Sequence, residues 1–287
     1  MTNEQGQLDL QEIVGRILFY LMVFAVFVFT VFPFYWAFNT SIKTEQQALQ
    51  PIDGYLHTDP TGINYEGVFN NDQFVTSLGN SAIVSSLTVL LCLVIGAFAA
   101  YALGRVRFRG RTMMLYAVLA MTMFPQISIL SGLFSIVRDF DLDGSLAALI
   151  FSYPIFTLPF TIWVLTAFFK GLPGEIEQAA LVDGATPFQT FRLVLVPLTT
   201  PALVTTGLLA FIAAWNEYLF ALTFTATNQD AQTVPVAIAL FSGQVNFQDP
   251  VAEIMAATVV VTVPLIVLVL FFQRQIIGGL TAGAVKG

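Results

Sequence analysis

Docking, not bond-making, is the chemistry that the most structured polar stretch of this sequence, residues 170–197, could perform. Pro173-Gly174 opens a short helix with Glu175 and Glu177 in its first turn, the charge that the positive end of a helix favours. Gln178 and the pair Ala179 and Ala180 follow, and the two alanines make a small surface that lets another backbone approach. Asp183-Gly184 then puts a glycine where a helix would end in a left-handed turn. Thr186-Pro187-Phe188-Gln189 restarts a helix, with threonine as N-cap, proline at the first helical position and glutamine closing a capping box. Phe188, Phe191 and Leu195 recur at helical spacing until Pro197. A helix lying on lipid wants Lys and Arg on its polar face. With two acids and one arginine, this helix–turn–helix suits a protein partner better.

Other candidates are few. Asn216 and Glu217 sit inside an apolar run. A carboxylate at a bilayer centre costs roughly 2.5–3.5 kcal/mol, so Glu217 must face a bundle interior or a watery cavity. It is either an acceptor for a hydroxylated solute or part of an outer gate, or else an interhelical hydrogen-bond partner. Gln126 and Ser128 follow Pro125, whose kink could expose backbone along the same path. Asp139, Asp141 and Asp143 start like a calcium loop, but the position of the bidentate glutamate is Ile150, so an acidic turn with Ser145 as a helix cap is expected instead. His57 is the only histidine and Cys92 the only cysteine, so a His-based metal site or catalytic triad would have to be borrowed from another chain, no disulfide can form within this one, and no metal site is expected. No Gly-x-x-x-x-Gly-Lys-Ser/Thr sequence occurs, so this chain is not expected to bind ATP or to be an enzyme.

The elements that carry these residues follow from composition. Of 287 residues, 56% are hydrophobic and 10% charged, under half the usual charge of about 25% in a soluble chain. A net charge of −7 argues against nucleic acid. A membrane helix needs about 20 apolar residues, and six segments qualify: 17–38, 81–103, 112–137, 145–169, 201–224 and 252–272. The fold expected is all-α, a polytopic protein with six transmembrane helices, some kinked at Pro33, Pro125, Pro154, Pro159 and Pro264. Glu4, Asp9 and Glu12 precede the first run, so it reads as an uncleaved span, not a signal peptide. With the N-terminus inside, all basic residues except Lys43 and Arg138 fall on the cytoplasmic side, which places both termini there. The organisation expected is a cytoplasmic segment 1–16, a membrane domain 17–273 and a tail 274–287, with an outer loop over 39–80. Met113, Met114, Met121 and Met123 read as packing in the third span.

The pattern Gln178-Ala179-Ala180, three residues, Gly184, nine residues, Val194-x-Val196-Pro197 resembles the loop of ABC-importer permeases, which runs Glu-Ala-Ala, three residues, Gly, nine residues, Ile-x-Leu-Pro. Three further segments resemble the carbohydrate-uptake, MalG-like branch of that family: the run from Ala100 to Arg111, Trp215-Asn216-Glu217-Tyr218, and the C-terminal run from Gly279 to Gly287. The resemblance implies a permease subunit that moves a di- or oligosaccharide inward by alternating access, in a prokaryotic inner membrane. It implies a second, MalF-like permease subunit, two MalK-like ATPase subunits that bind ATP and Mg2+, and an extracytoplasmic sugar-binding protein. It also implies that Glu175, Glu177, Gln178, Ala179, Ala180, Asp183, Gly184, Val194 and Pro197 belong to a helix seated in an ATPase cleft. Thr281, Ala282, Gly283 and Lys286 would reach the ATPase interface. Because Gln178 stands where the family has glutamate, the charge contact either passes to Glu177 or is replaced by an amide hydrogen bond. A permease for a polyamine or an amino acid, and a proton-coupled secondary transporter using Glu217, are the alternatives.

Overall fold

The computed structural model describes residues 10–49, 60–241 and 250–284. Those residues are helices and connecting turns. In chain order they are α1 (Leu10–Ser41), α2 (Glu45–Ala48), α3 (Ile63–Asn70), α4 (Asp72–Gly104), α5 (Arg111–Met121), α6 (Gln126–Asp139), α7 (Leu146–Ser152) and α8 (Pro154–Gly171). Next come α9 (Gly174–Val182), α10 (Pro187–Gln189), a π-helical segment (Thr190–Leu195), α11 (Val196–Leu198), α12 (Thr200–Trp215), α13 (Leu219–Phe224), α14 (Val234–Phe241) and α15 (Val251–Ala284).

Among the described residues four stretches are long and apolar enough to cross a membrane unaided: Glu12–Ser41, Asp72–Gly104, Leu146–Gly171 and Val251–Gln275. The third and fifth expected spans are broken instead of gently kinked. Between α5 and α6 the chain turns by 94°, while the 74° bend between Pro187–Leu198 and Thr200–Trp215 lies just ahead of the fifth expected span. Pro125 is the reason at the first break, since it lacks the N–H that would continue the helix and it opens α6 as N-cap. The fifth run itself breaks after Trp215, where α12 stops and three residues intervene before α13 begins at Leu219. The four methionines of the third span face outward, Met113 and Met123 at 80% and 82% exposure, which corrects the packing expected of them. An apolar side chain in a membrane helix is equally at home against lipid, so type alone does not place it inside.

The chain divides into two compact units. The first comprises Met1–Asn70 and Ser242–Val260. Within it α1 exposes its apolar side chains all round, and its polar end is tied down. Asn64 Nδ2 donates to the carbonyls of Ser41 and Lys43 at 2.8 and 2.7 Å, and the Ser41 hydroxyl meets that of Tyr65 at 2.7 Å. The Glu45 carboxylate accepts from the N–H groups of Val251 and Ala252 at 2.7 and 3.0 Å, capping the start of α15 from far away in sequence.

The second unit comprises Asn71–Phe241 and Val261–Gly287. Here α4 is the axis, packed on α8 and α12. Small residues let the backbones approach: a Cβ built on Gly96 would lie 2.8 Å from Thr161 Cγ2. Gly96→Val is therefore expected to destabilise the unit by about 1–3 kcal/mol, read as a lower thermal unfolding midpoint in detergent. An unchanged midpoint would mean that α4 and α8 separate freely. Cys92 is fully buried beside the Thr157 hydroxyl, 3.1 Å away, so it is a core residue. Ser145 caps α7 through the Ala148 N–H, as expected.

Candidate functional site: the α9–α11 docking loop

The loop after α8 is a folded piece whose rear is fastened and whose front is bare. Its first turn carries Glu175 and Glu177, and Pro173 precedes the first helical residue. On α9 the residues Glu175, Gln178, Ala179 and Val182 are exposed and share one face by their spacing, while Ala180 is buried and Ile176 and Glu177 are half-buried on the other. Val182 is 86% exposed and Leu181 47%. The helix ends in a Schellman turn: Ala185 N–H donates to the Ala180 carbonyl at 3.0 Å and Gly184 N–H to that of Leu181 at 3.1 Å. Gly184 has φ +85°, the left-handed conformation that glycine adopts without strain. The capping box forms at Thr186, whose N–H donates to Gln189 Oε1 at 2.8 Å, while Gln189 N–H donates to Thr186 Oγ1 at 3.3 Å.

Beyond the box the chain departs from a plain α-helix. Thr190–Leu195 is π-helical, which turns Phe191 and Leu195 into one buried cluster with Ala97 and Ala100 of α4, Leu165 and Phe169 of α8, and Ala202 of α12. The Phe191 ring lies 5.0 Å from those of both Phe98 and Tyr101. Val194 is half-buried, and Asp183 and Pro197 are exposed. Glu177 is not available to an outside cation. Its Oε2 accepts from Arg105 Nε at 3.0 Å and its Oε1 from the Tyr101 hydroxyl at 3.2 Å. Of the two substitutes considered for the missing glutamate at position 178, only the exposed Gln178 amide faces outward. No local signal in the sequence pairs Arg105 with an acid 72 residues later.

The residues expected along a solute path are not gathered in one place. Gln126 lines a cavity of about 620 Å³ together with Thr122, Phe124, Phe156, Phe160 and Trp163. Ser128 is exposed and is not part of that wall, nor are Asn216 and Glu217. These last two form back-to-back caps. Asn216 Nδ2 donates to the Ile212 carbonyl at 2.8 Å, closing α12. The buried Glu217 carboxylate accepts from the N–H groups of Phe220 and Ala221 at 2.8 and 3.0 Å, opening α13, and the Tyr153 hydroxyl lies beside it. The polar contact expected of Glu217 thus goes to the next turn of its own run.

Of the expected tail, Thr281, Ala282 and Gly283 fall on α15, which stays helical to Ala284. Lys286 lies outside the described residues, as does His57. Among the described residues no group of three or more His, Cys, Asp or Glu side chains could hold a metal ion.

Residues 92–280 match the family described as binding-protein-dependent transport system inner membrane component. The trehalose transport system permease protein SugB of Mycobacterium tuberculosis is 45% identical over 260 residues, covering 90% of this chain and 93% of that protein. The trehalose/maltose transport system permease protein MalG of Thermococcus litoralis is 40% identical over 280 residues, covering 96% and 99%. The same fold is found in a bacterial ABC transporter that imports the acidic polysaccharide alginate, with a TM-score of 0.81 at 21% identity over 93% of this chain and 98% of that one.

Proposed function

Because this chain belongs to the family of binding-protein-dependent transport system inner membrane components, we propose that it is one permease subunit of an ATP-driven carbohydrate importer. Its substrate is a di- or oligosaccharide, and it works by alternating access with a second permease subunit. The observation that carries this reading is the docking loop: an exposed face of Glu175, Gln178, Ala179 and Val182 backed by a buried aromatic seat. A bare face of acidic, amide, small and apolar side chains on a rigid seat suits a protein partner, and the partner proposed for it is a pair of ATPase subunits that bind ATP and Mg2+. The permease itself binds neither and catalyses no reaction. Orientation follows from charge: both termini and the docking loop face the cytoplasm, while a sugar-binding protein delivers from outside. The likeness to trehalose and maltose permeases over nearly the full length favours a sugar over a polyamine or an amino acid.

The test is calorimetric titration of the cognate binding protein with trehalose, maltose, spermidine and a set of amino acids, followed by ATP-dependent uptake in proteoliposomes. A disaccharide is expected to bind and to be taken up. Tight binding of spermidine or an amino acid with no response to sugars would overturn the substrate class. The stretch holding Thr281, Ala282, Gly283 and Lys286 is proposed to reach the ATPase pair. Deleting residues 280–287 should then leave membrane insertion intact and reduce uptake, and normal uptake by the shortened chain would remove the tail from the mechanism.

A further inference from the structure

The inward acid of the docking loop is bound to a helix that the loop does not adjoin in sequence. Arg105, which follows the last turn of α4, sends its three kinds of donor to three places. Nε reaches Glu177 at 3.0 Å, Nη1 the Leu172 carbonyl at 2.9 Å and Nη2 the Pro173 carbonyl at 3.2 Å. Leu172 and Pro173 are the extended residues between α8 and α9, the place where α9 would otherwise swing. The second oxygen of Glu177 takes the Tyr101 hydroxyl, so the carboxylate is held on both sides by α4 and the residue that follows it. The approach is close: a Cβ on Gly104 would lie 3.1 Å from Phe169 Cβ of α8. The Arg105 side chain is only 11% exposed, so water screens the pair less than it would at an open surface.

Resting on the docking-loop reading, we infer that Glu177 and Arg105 are positioning residues for coupling: they clasp α9 to α4 so that both move as one body. A displacement imposed on the exposed face of α9 then reaches the central helix α4 directly, without passing through the chain connections to α8 and α12. A planar guanidinium is required, because one lysine ammonium cannot bond a carboxylate and two separate carbonyls in that arrangement. The clasp also explains how a loop with Gln178 in the outward position retains an acid next to it: that acid serves the inside of the subunit.

The experiment uses the complete transporter, reconstituted with E177Q, R105K and the double variant. Three quantities are read: retention of the ATPase subunits on purification, ATP hydrolysis, and uptake of radiolabelled trehalose or maltose, whichever the unaltered complex transports. Each single variant is expected to keep the ATPase subunits and to hydrolyse ATP at near-normal rates, while sugar moved per ATP falls about tenfold, within the usual range of coupling between sites. The double variant should lose clearly less than the product of the two single losses, since both variants disturb the shared Arg105–Glu177 contact. Loss of the ATPase subunits from E177Q would show that Glu177 touches the partner and would overturn the clasp. An unchanged ratio of sugar to ATP, or losses that multiply in the double variant, would overturn it as well. V182E serves as the separate check on the docking loop and is expected to shed the ATPase subunits. If it retains them, the docking-loop reading fails, whatever the clasp variants do.

Discussion

Gly184→Leu is expected to abolish sugar uptake while the membrane helices insert as before. The backbone there sits at φ +85°, where an L-residue with a Cβ is strained by roughly 1–2 kcal/mol. A Cβ at this site meets nothing within 4 Å, so the cost is conformational and not a clash within the chain. The cheapest relief is to unwind the Schellman turn. That gives up the Ala185 and Gly184 hydrogen bonds and moves Leu181 and Val182, the exposed apolar residues of the docking face. With each 1.4 kcal/mol worth about a factor of ten in an equilibrium, a small strain suffices to misplace the loop. Gly184→Asn is the companion variant, because asparagine tolerates the left-handed region, and it should retain most uptake. The measurements are uptake in proteoliposomes and co-purification of the ATPase subunits. Normal uptake by the leucine variant would sink the assignment of this turn.

Glu217→Ala is expected to lower the amount of folded protein sharply, whereas Glu217→Gln should remain folded and active. The alanine variant strips both acceptors from the Phe220 and Ala221 N–H groups inside an apolar cluster. A buried donor left without a partner costs about 1–3 kcal/mol. Glutamine keeps an acceptor oxygen for one of the two N–H groups and loses the charge and the second acceptor, so it is the milder change. Thermal unfolding in detergent reads the first effect, and ATP-dependent uptake reads the second. The pair of variants also separates the two transport mechanisms. A proton carrier at this position would fail as glutamine whether or not it folds, while a helix cap would not. Full stability of the alanine variant would refute the cap.

What the sequence made legible was whatever depends on neighbours along the chain. Apolar length located the membrane runs, and local side-chain chemistry located the Thr186–Gln189 box, the Ser145 cap and the turn at Gly184. At Pro125 a kink was legible but its 94° was not, because Thr122 to Pro125 barely interrupt the hydropathy, and Asn216 and Glu217 were legible as polar residues but not as the end of one helix and the start of the next. The outward methionines escaped because an apolar side chain carries no sign of whether lipid or protein will cover it. The Arg105–Glu177 pair escaped for another reason. Each residue alone fits a local rule, the arginine as a positive-inside flank and the glutamate as first-turn acid. Only the folded chain shows that the two satisfy each other.

The carboxylate of Glu45 that closes the start of α15 bears on biogenesis. Synthesis runs from the N-terminus, so the first span and the loop after it are in place long before residues 251 and 252 emerge. The last helix therefore meets a waiting acceptor instead of supplying its own cap, and its two leading N–H groups stay unsatisfied until the first and last parts of the chain are brought together. Completion of the subunit is thereby made conditional on retention of its earliest segment. A chain that loses its N-terminal portion, Glu45 included, would insert a final helix whose first two N–H groups lack this acceptor.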